Sequence, residues 1–277
     1  MASDQPKSPS AAAADSDQSL DLPNGMFRSG TGPQSVVGTM PRQFGAVNVA
    51  MAYTAVGDNA LFEGDIVLAT LDEVRAAELK ADAKGIGIVG EQYRWPEGKI
   101  AYVIADEALR GRVEAAIAHW QQHTPFKFSE RTSEADYISF EERDGCWSRV
   151  GRQGGKQVIS LAAGCGLGAA IHEIGHAIGL WHEQSRADRD NFVEIVWANI
   201  IDIHKHNFNK HVQDGEDLGN YDHGSIMHYP AKAFSKNGQD TIRTRDGTAI
   251  GQRNGLSRSD IESVRKMYPN IDWSQHQ

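Results

Sequence analysis

The run His172-Glu173-Ile174-Gly175-His176-Ala177-Ile178-Gly179-Leu180-Trp181-His182 constrains this chain more than any other stretch. Residues 168–181 are apolar on most sides and predict a buried helix. Residues four apart share one face of a helix, so His172 and His176 aim two imidazoles at one point. Glu173 projects beside that point, within reach of a water held there. Gly179 tolerates positive φ, so the helix can stop and the chain turn sharply, bringing His182 back as a third nitrogen ligand. Three nitrogens around an open position form the pattern of a catalytic zinc site; a structural site is closed by four protein ligands. One Zn2+ per chain is therefore expected. A buried helix with unrelated histidines accounts neither for the spacing nor for Glu173.

Composition limits the rest. The chain has 277 residues, 40% of them hydrophobic, enough for one or two domains with a true core. Its net charge is −9, from 28 basic and 37 acidic residues with no dense basic run, which argues against a nucleic-acid surface. No apolar stretch reaches membrane-spanning length, so no membrane insertion is expected. Two cysteines exclude a disulfide-rich scaffold and a zinc finger built on four cysteines.

Residues 1–43 are rich in Ser, Ala, Gly, Pro, Asp and Gln and show no period, which predicts a disordered leader. No secretory signal is legible there, because Ala11–Ala14 is too short for an apolar core and Asp15 and Asp17 follow at once. An amphipathic stretch follows, with a helix predicted over Leu71–Leu79 and a linker over 80–87. Strands are predicted at 99–104, 126–128, 137–140 and 157–161. Helices are predicted over 106–122, 168–181, 192–208 and 256–268, the last with Ser257 as N-cap. Strands first and helices later give an α+β architecture. His204, His206 and His211 read as a solvated helix face, and His228 as structural.

The extended run 172–190, HEIGHAIGLWHEQSRADRD, resembles the astacin family of zinc endopeptidases within the metzincins; Glu183, Arg186, Asp188, Arg189 and Asp190 match that family's pattern. Ser225-Ile226-Met227-His228-Tyr229 resembles its Met-turn, and the likeness extends from about Phe62 to Tyr268. The resemblance implies a zincin-like, two-lobed catalytic domain with a small mixed sheet, long helices and a cleft between the lobes. It implies that Met227 floors the metal and that Tyr229 is an extra, displaceable zinc ligand that swings to stabilise the transition state; an ordinary half-buried tyrosine is the alternative. It implies that Cys146, Trp147 and Ser148 belong to an edge strand that binds substrate backbone, and that Cys146 and Cys165 form a disulfide. Arg253 falls where several family members place a basic residue in the pocket after the scissile bond; a surface arginine is the alternative.

The same resemblance divides the chain into the leader 1–43, an inhibitory propeptide 44–85, a catalytic domain 86–270 and a tail 271–277. Phe62-Glu63-Gly64-Asp65 matches the family's F-x-G-D motif, in which the Asp carboxylate takes the zinc position that water needs. Lys84 offers a trypsin-like cut next to a mature start near Ile86. The new amino group would pair with Glu183, since a buried carboxylate needs a cation. The resulting expectation is a latent zinc endopeptidase with Glu173 as general base, acting on protein or peptide substrates, activated by another protease, secreted and monomeric. The rival class is a non-catalytic zinc or peptide-binding module on the same scaffold; Glu173 argues against it, because binding alone needs no base.

Overall fold

The computed structural model describes residues 31–42, 45–74, 91–210 and 217–276, with side chains from residue 52 onward. One sheet has the order β6-β5-β7-β9-β8. Strands β5 (Lys99–Ile104), β6 (Lys127–Glu130), β7 (Tyr137–Glu141) and β9 (Lys156–Leu161) run parallel, and β8 (Cys146–Trp147) pairs antiparallel along one edge of β9. Parallel neighbours need a crossover, and helix α1 (Arg110–His123) supplies it between β5 and β6. Val113, Ala116, Ile117 and Trp120 of α1 are buried at spacings of three and four, the apolar stripe that the sequence predicts.

Helix α2 (Leu167–Ile178) is buried at every position from Gly168 to Ile178, which explains its lack of a polar face. Gly179 ends it with φ 124°, donating to His176 O at 2.8 Å and Gly175 O at 3.1 Å. The last carbonyls of a helix lack intrahelical donors. Here the Trp95 indole donates to Ala177 O at 2.9 Å and the Tyr268 hydroxyl to Ile178 O at 2.8 Å, while Trp120 reaches Ile171 O at 3.0 Å. These donors fix α2 in depth and rotation. Helix α3 (Arg258–Met267) closes the same core with Val264 and Met267, starting at Ser257 in a capping box with Asp260. Ile271 and Trp273 of the tail pack back onto that core.

The helix predicted over 192–208 does not form. Val193 and Ile195 are buried around exposed Glu194 in strand β10 (Val193–Ile195), which pairs with β11 (Ile242–Thr244). Single 3-10 segments follow at Trp197–Asn199 and Asp202–Phe208. The β-branched run Val193, Ile195, Val196, Ile200, Ile201 favours extended backbone, and Val193, Ile195 and Ile200 build a second core with Tyr229, Phe208 and Phe234.

The N-terminal region forms its own antiparallel sheet, β1 (Thr31–Arg42), β2 (Gly45–Val56), β3 (Asn59–Phe62) and β4 (Ile66–Thr70), in that order. This corrects the leader reading over 31–42. A strand can be specified by the ladder its neighbour offers, without an apolar period of its own, and β2 is that neighbour. Residues 1–30 lie outside the described residues. After β4 a helical turn begins at Leu71, where Thr70 and Glu73 cap each other reciprocally at 3.1 and 2.8 Å. The remainder of the predicted 71–79 helix, the 80–87 linker, Lys84 and Ile86 lie outside the described residues, as does His211. Between β3 and β4 the chain enters the cleft, and a parallel bridge between Ile66 and Ser148 joins this sheet to the edge beside β8.

Candidate metal centre and active site

Helix α2 carries His172 and His176 on one face, and the turn at Gly179 returns His182 to them. Ligand atoms of the three histidines and of Asp65 all lie within 4.8 Å of one another, and all four residues are buried. Each histidine donates Nδ1–H outward: His172 to Ile226 O at 2.9 Å, His176 to Leu180 O at 2.8 Å, and His182 to Glu63 Oε2 at 2.7 Å. That leaves three Nε2 lone pairs converging on one point. His172 Nε2, His176 Nε2 and Asp65 Oδ1 are buried without hydrogen-bond partners. These two orphaned imidazoles and the carboxylate, with His182 Nε2 3.3 Å from Asp65 Oδ2, fit one four-coordinate zinc ion.

The floor of the site is equally specific. Met227 is buried under α2, and a Cβ at Gly175 would meet its sulfur at 2.8 Å, so a side chain there would push Met227 out of its present place. Ser225 Oγ donates to Asp260 at 2.6 Å and Ile226 N–H to the same carboxylate at 3.0 Å. Asp260 also accepts from Ser257 N–H at 2.8 Å. One buried carboxylate thus starts α3 and holds the turn whose Ile226 carbonyl orients His172. The sequence reading names Ser257 but misses Asp260; the Ser-x-x-acid pattern at 257–260 is the available signal.

Glu173 is buried, and neither of its oxygens has a hydrogen-bond partner. Burial and the charge of Asp65 push its carboxyl well above the usual range, with Arg253 opposing. Burial works against charge on Asp65 too, but His182, His172 and His176 outweigh it and hold Asp65 well below the usual carboxylate range.

Known proteins bear on this geometry. The astacin model, described as Astacin (Peptidase family M12A), matches residues 88–269. The chain belongs to the astacin family. It is 40% identical over 229 residues to Blastula protease 10 of Paracentrotus lividus, covering 75% of this chain and 38% of that protein. It is 39% identical over 234 residues to Zinc metalloproteinase nas-13 of Caenorhabditis elegans, covering 77% of this chain and 52% of the relative. The chain thus spans about two-fifths to one-half of these relatives. The solved structure of High choriolytic enzyme 1, a hatching enzyme zinc-protease from Oryzias latipes, aligns with a TM-score of 0.62 at 38% identity, over 68% of this chain and 99% of that one. Residues 88–269 are accordingly an astacin metallopeptidase domain, with the two-lobed α+β fold and a one-zinc, three-histidine site.

The remaining residues singled out from the astacin resemblance fall as follows. Cys146 and Cys165 are bonded, tying edge strand β8 to the segment that enters α2. Ser148 N–H donates to Asp65 O at 2.9 Å and Ser148 O accepts from Val67 N–H at 2.8 Å, so the edge already holds a strand. Tyr229 stacks edge-on to His182, with ring centroids 4.6 Å apart, and its hydroxyl donates to Glu63 O. Glu183 accepts from Asp222 N–H at 2.8 Å and lies 3.6 Å from the Arg186 guanidinium. Burial pushes its carboxyl up to about 8 against the pull of Arg186. Arg253 donates to His228 O at 3.0 Å and directs its charge at Asp65 and Glu173. His228 is buried between the Tyr221 hydroxyl at 2.6 Å and Tyr229 O at 2.8 Å, in keeping with a structural role.

Two residues depart from expectation. His204 is buried against Phe234, with ring centroids 4.8 Å apart, rather than solvated, because 202–208 folds as a 3-10 segment into the second core. His206 is half-buried with Nε2 3.3 Å from Thr54 Oγ1, so it meets β2 rather than solvent. Glu63, the variable position of the F-x-G-D motif, escapes the sequence reading as a site residue; nothing in the motif marks it.

Proposed function

We propose that this chain is a zinc endopeptidase held latent by its own N-terminal region, with residues up to about 85 as a removable prosegment and 86–270 as the catalytic domain. The observation that carries the reading is Asp65, whose carboxylate sits 3.2 to 3.8 Å from Nε2 of all three histidines, with Glu173 beside them. Held there, Asp65 fills the position a water needs and adds its charge to the burial that raises the Glu173 carboxyl.

Bound zinc supplies Lewis-acid polarisation of water and of the scissile carbonyl. Everything else belongs to side chains and backbone. Once Asp65 leaves, a water can take its place beside Glu173, and the Glu173 carboxyl loses one of the two influences, burial and that charge, that raise it. It then accepts the proton of the attacking water and delivers it to the leaving amine. Tyr229, released from Glu63 O, becomes free to ligate the metal or to donate to the developing oxyanion. The backbone of Cys146, Trp147 and Ser148, vacated by residues 65–67, accepts an extended protein substrate as an added strand. The amino group freed near Ile86 supplies a further cation to half-buried Glu183, whose carboxyl desolvation pushes up against the pull of Arg186. Arg253 faces the site and favours an acidic side chain just after the cut; a cleavage profile of peptide libraries without acidic bias would end that part of the reading. The disulfide fits an oxidising, extracellular compartment, hence a secreted enzyme, which we take to be a monomer activated by a separate protease.

The test is casein cleavage before and after limited trypsin treatment, with Glu173→Ala as control. Activity should appear only after trypsin, and Glu173→Ala should lower it by roughly 10²–10⁴-fold while retaining zinc. A zinc-loaded chain inactive in both states would instead favour a binding module.

A further inference from the structure

His182 is held differently from the other two ligands. The outer nitrogens of His172 and His176 donate to main-chain carbonyls of the catalytic domain, Ile226 O and Leu180 O. The outer nitrogen of His182 meets Glu63 Oε2 at 2.7 Å, a side chain of the N-terminal region. Glu63 is fully buried, and its second oxygen accepts from the Ser185 hydroxyl. Its backbone lies in the left-handed region at φ 49°, uncommon for a residue other than glycine, and Gly64 follows at φ 81°. That bend lets two nearby carboxylates bracket one imidazole, Asp65 at Nε2 (3.2 Å) and Glu63 at Nδ1.

Blocking the metal requires only Asp65. A second buried carboxylate in a left-handed backbone is costly, and an apolar side chain would fill the same space with no charge to desolvate. A carboxylate on the outer nitrogen of a ligating histidine does something an apolar group cannot. It fixes the tautomer with the lone pair at Nε2, orients the ring and raises its basicity towards the metal. We propose that Glu63 is a positioning residue that locks His182 as the third zinc ligand, so that the prosegment secures the metal while blocking it. Cleavage withdraws that support together with the block, and zinc is held more tenaciously before activation than after. The inference rests on the reading of residues up to about 85 as removable.

The test reads zinc release, not only activity. Purified zymogens with Glu63, Glu63→Ala and Glu63→Gln are mixed with excess 4-(2-pyridylazo)resorcinol, and zinc transfer is followed by absorbance. The same proteins are measured after limited trypsin treatment, and all are assayed on casein. Glu63→Ala should speed release from the zymogen by roughly 10–100-fold while the chain stays latent through Asp65. Glu63→Gln, whose amide oxygen still accepts the Nδ1–H, should fall between. After trypsin all three should release zinc at one rate, because residue 63 is gone. A latent Glu63→Ala zymogen that releases zinc at the unsubstituted rate overturns the proposal and leaves latency standing. A Glu63→Ala chain active before trypsin shows a detached prosegment and also overturns the specific role. An unsubstituted chain as active before trypsin as after removes the zymogen reading itself, a separate outcome.

Discussion

The catalytic region and the N-terminal sheet meet at the same metal centre but are built on different principles. Helix α2 is buried on all sides, its terminal carbonyls taken by Trp95 and Tyr268, and its two histidines are oriented by main-chain carbonyls. The N-terminal sheet builds a small core around Tyr53, Phe62, Ile66 and Leu68 that it shares with Val150 and Trp181, and reaches the site through the turn between β3 and β4 and the backbone bridge at Ser148. One part is held by close-packed apolar surface, which cleavage elsewhere cannot undo. The other buries apolar side chains against the catalytic region, Phe62 on Trp181 and Leu61 and Val67 beside Trp147, and adds polar contacts at the metal site. Under the proposed zymogen reading, this second part is the half that cleavage would release.

The largest expected effect breaks the removable half. Asp65→Ala should raise casein cleavage by the unprocessed chain from background towards the trypsin-activated level, whereas Glu173→Ala stays silent before and after trypsin. Continued full latency of Asp65→Ala would show that the bulk of the N-terminal turn, not its carboxylate, blocks the site.

The permanent half is tested at Asp260. Asp260→Ala leaves Ile226 N–H, Ser257 N–H and the Ser225 hydroxyl without their acceptor. The expected loss is about 3–4 kcal/mol in both zymogen and activated forms, read as equal falls in denaturation midpoint. A loss confined to the zymogen would blur the division between the halves.

A smaller effect comes from His204, in the second core. Burial, with neighbouring His206, holds its pKa down at about 4, below the usual 6.5. The folded chain therefore takes up this proton later than the unfolded one. Stability from this group is complete above about pH 6.5 and drains as pH falls towards 4, by up to about 3 kcal/mol. His204→Leu should flatten that acid limb in melting curves of the activated protein; parallel curves would exclude the burial account.

The metal-binding helix is legible because its information is local. The spacing of His172 and His176, the glycine stop at 179 and the Ser257 cap are consequences of helix geometry, and the structure realises each. The 192–208 segment misleads because its apolar residues suit either period, and only pairing of β10 with β11 decides for strand. Strand β1 escapes detection for a related reason: its partner β2, not its own pattern, specifies it.

The sequence by itself determined the three-histidine pattern: His172 and His176 one helical turn apart and a glycine turn that returns His182, in spacings that local backbone geometry brings together. Tertiary structure decided which side chains support them. Asp260 on the Ile226 amide, Glu63 on His182 and the Tyr229 hydroxyl on the Glu63 carbonyl are contacts between residues 34 to 166 positions apart. Such pairings depend on how separate elements pack, and no local period encodes them.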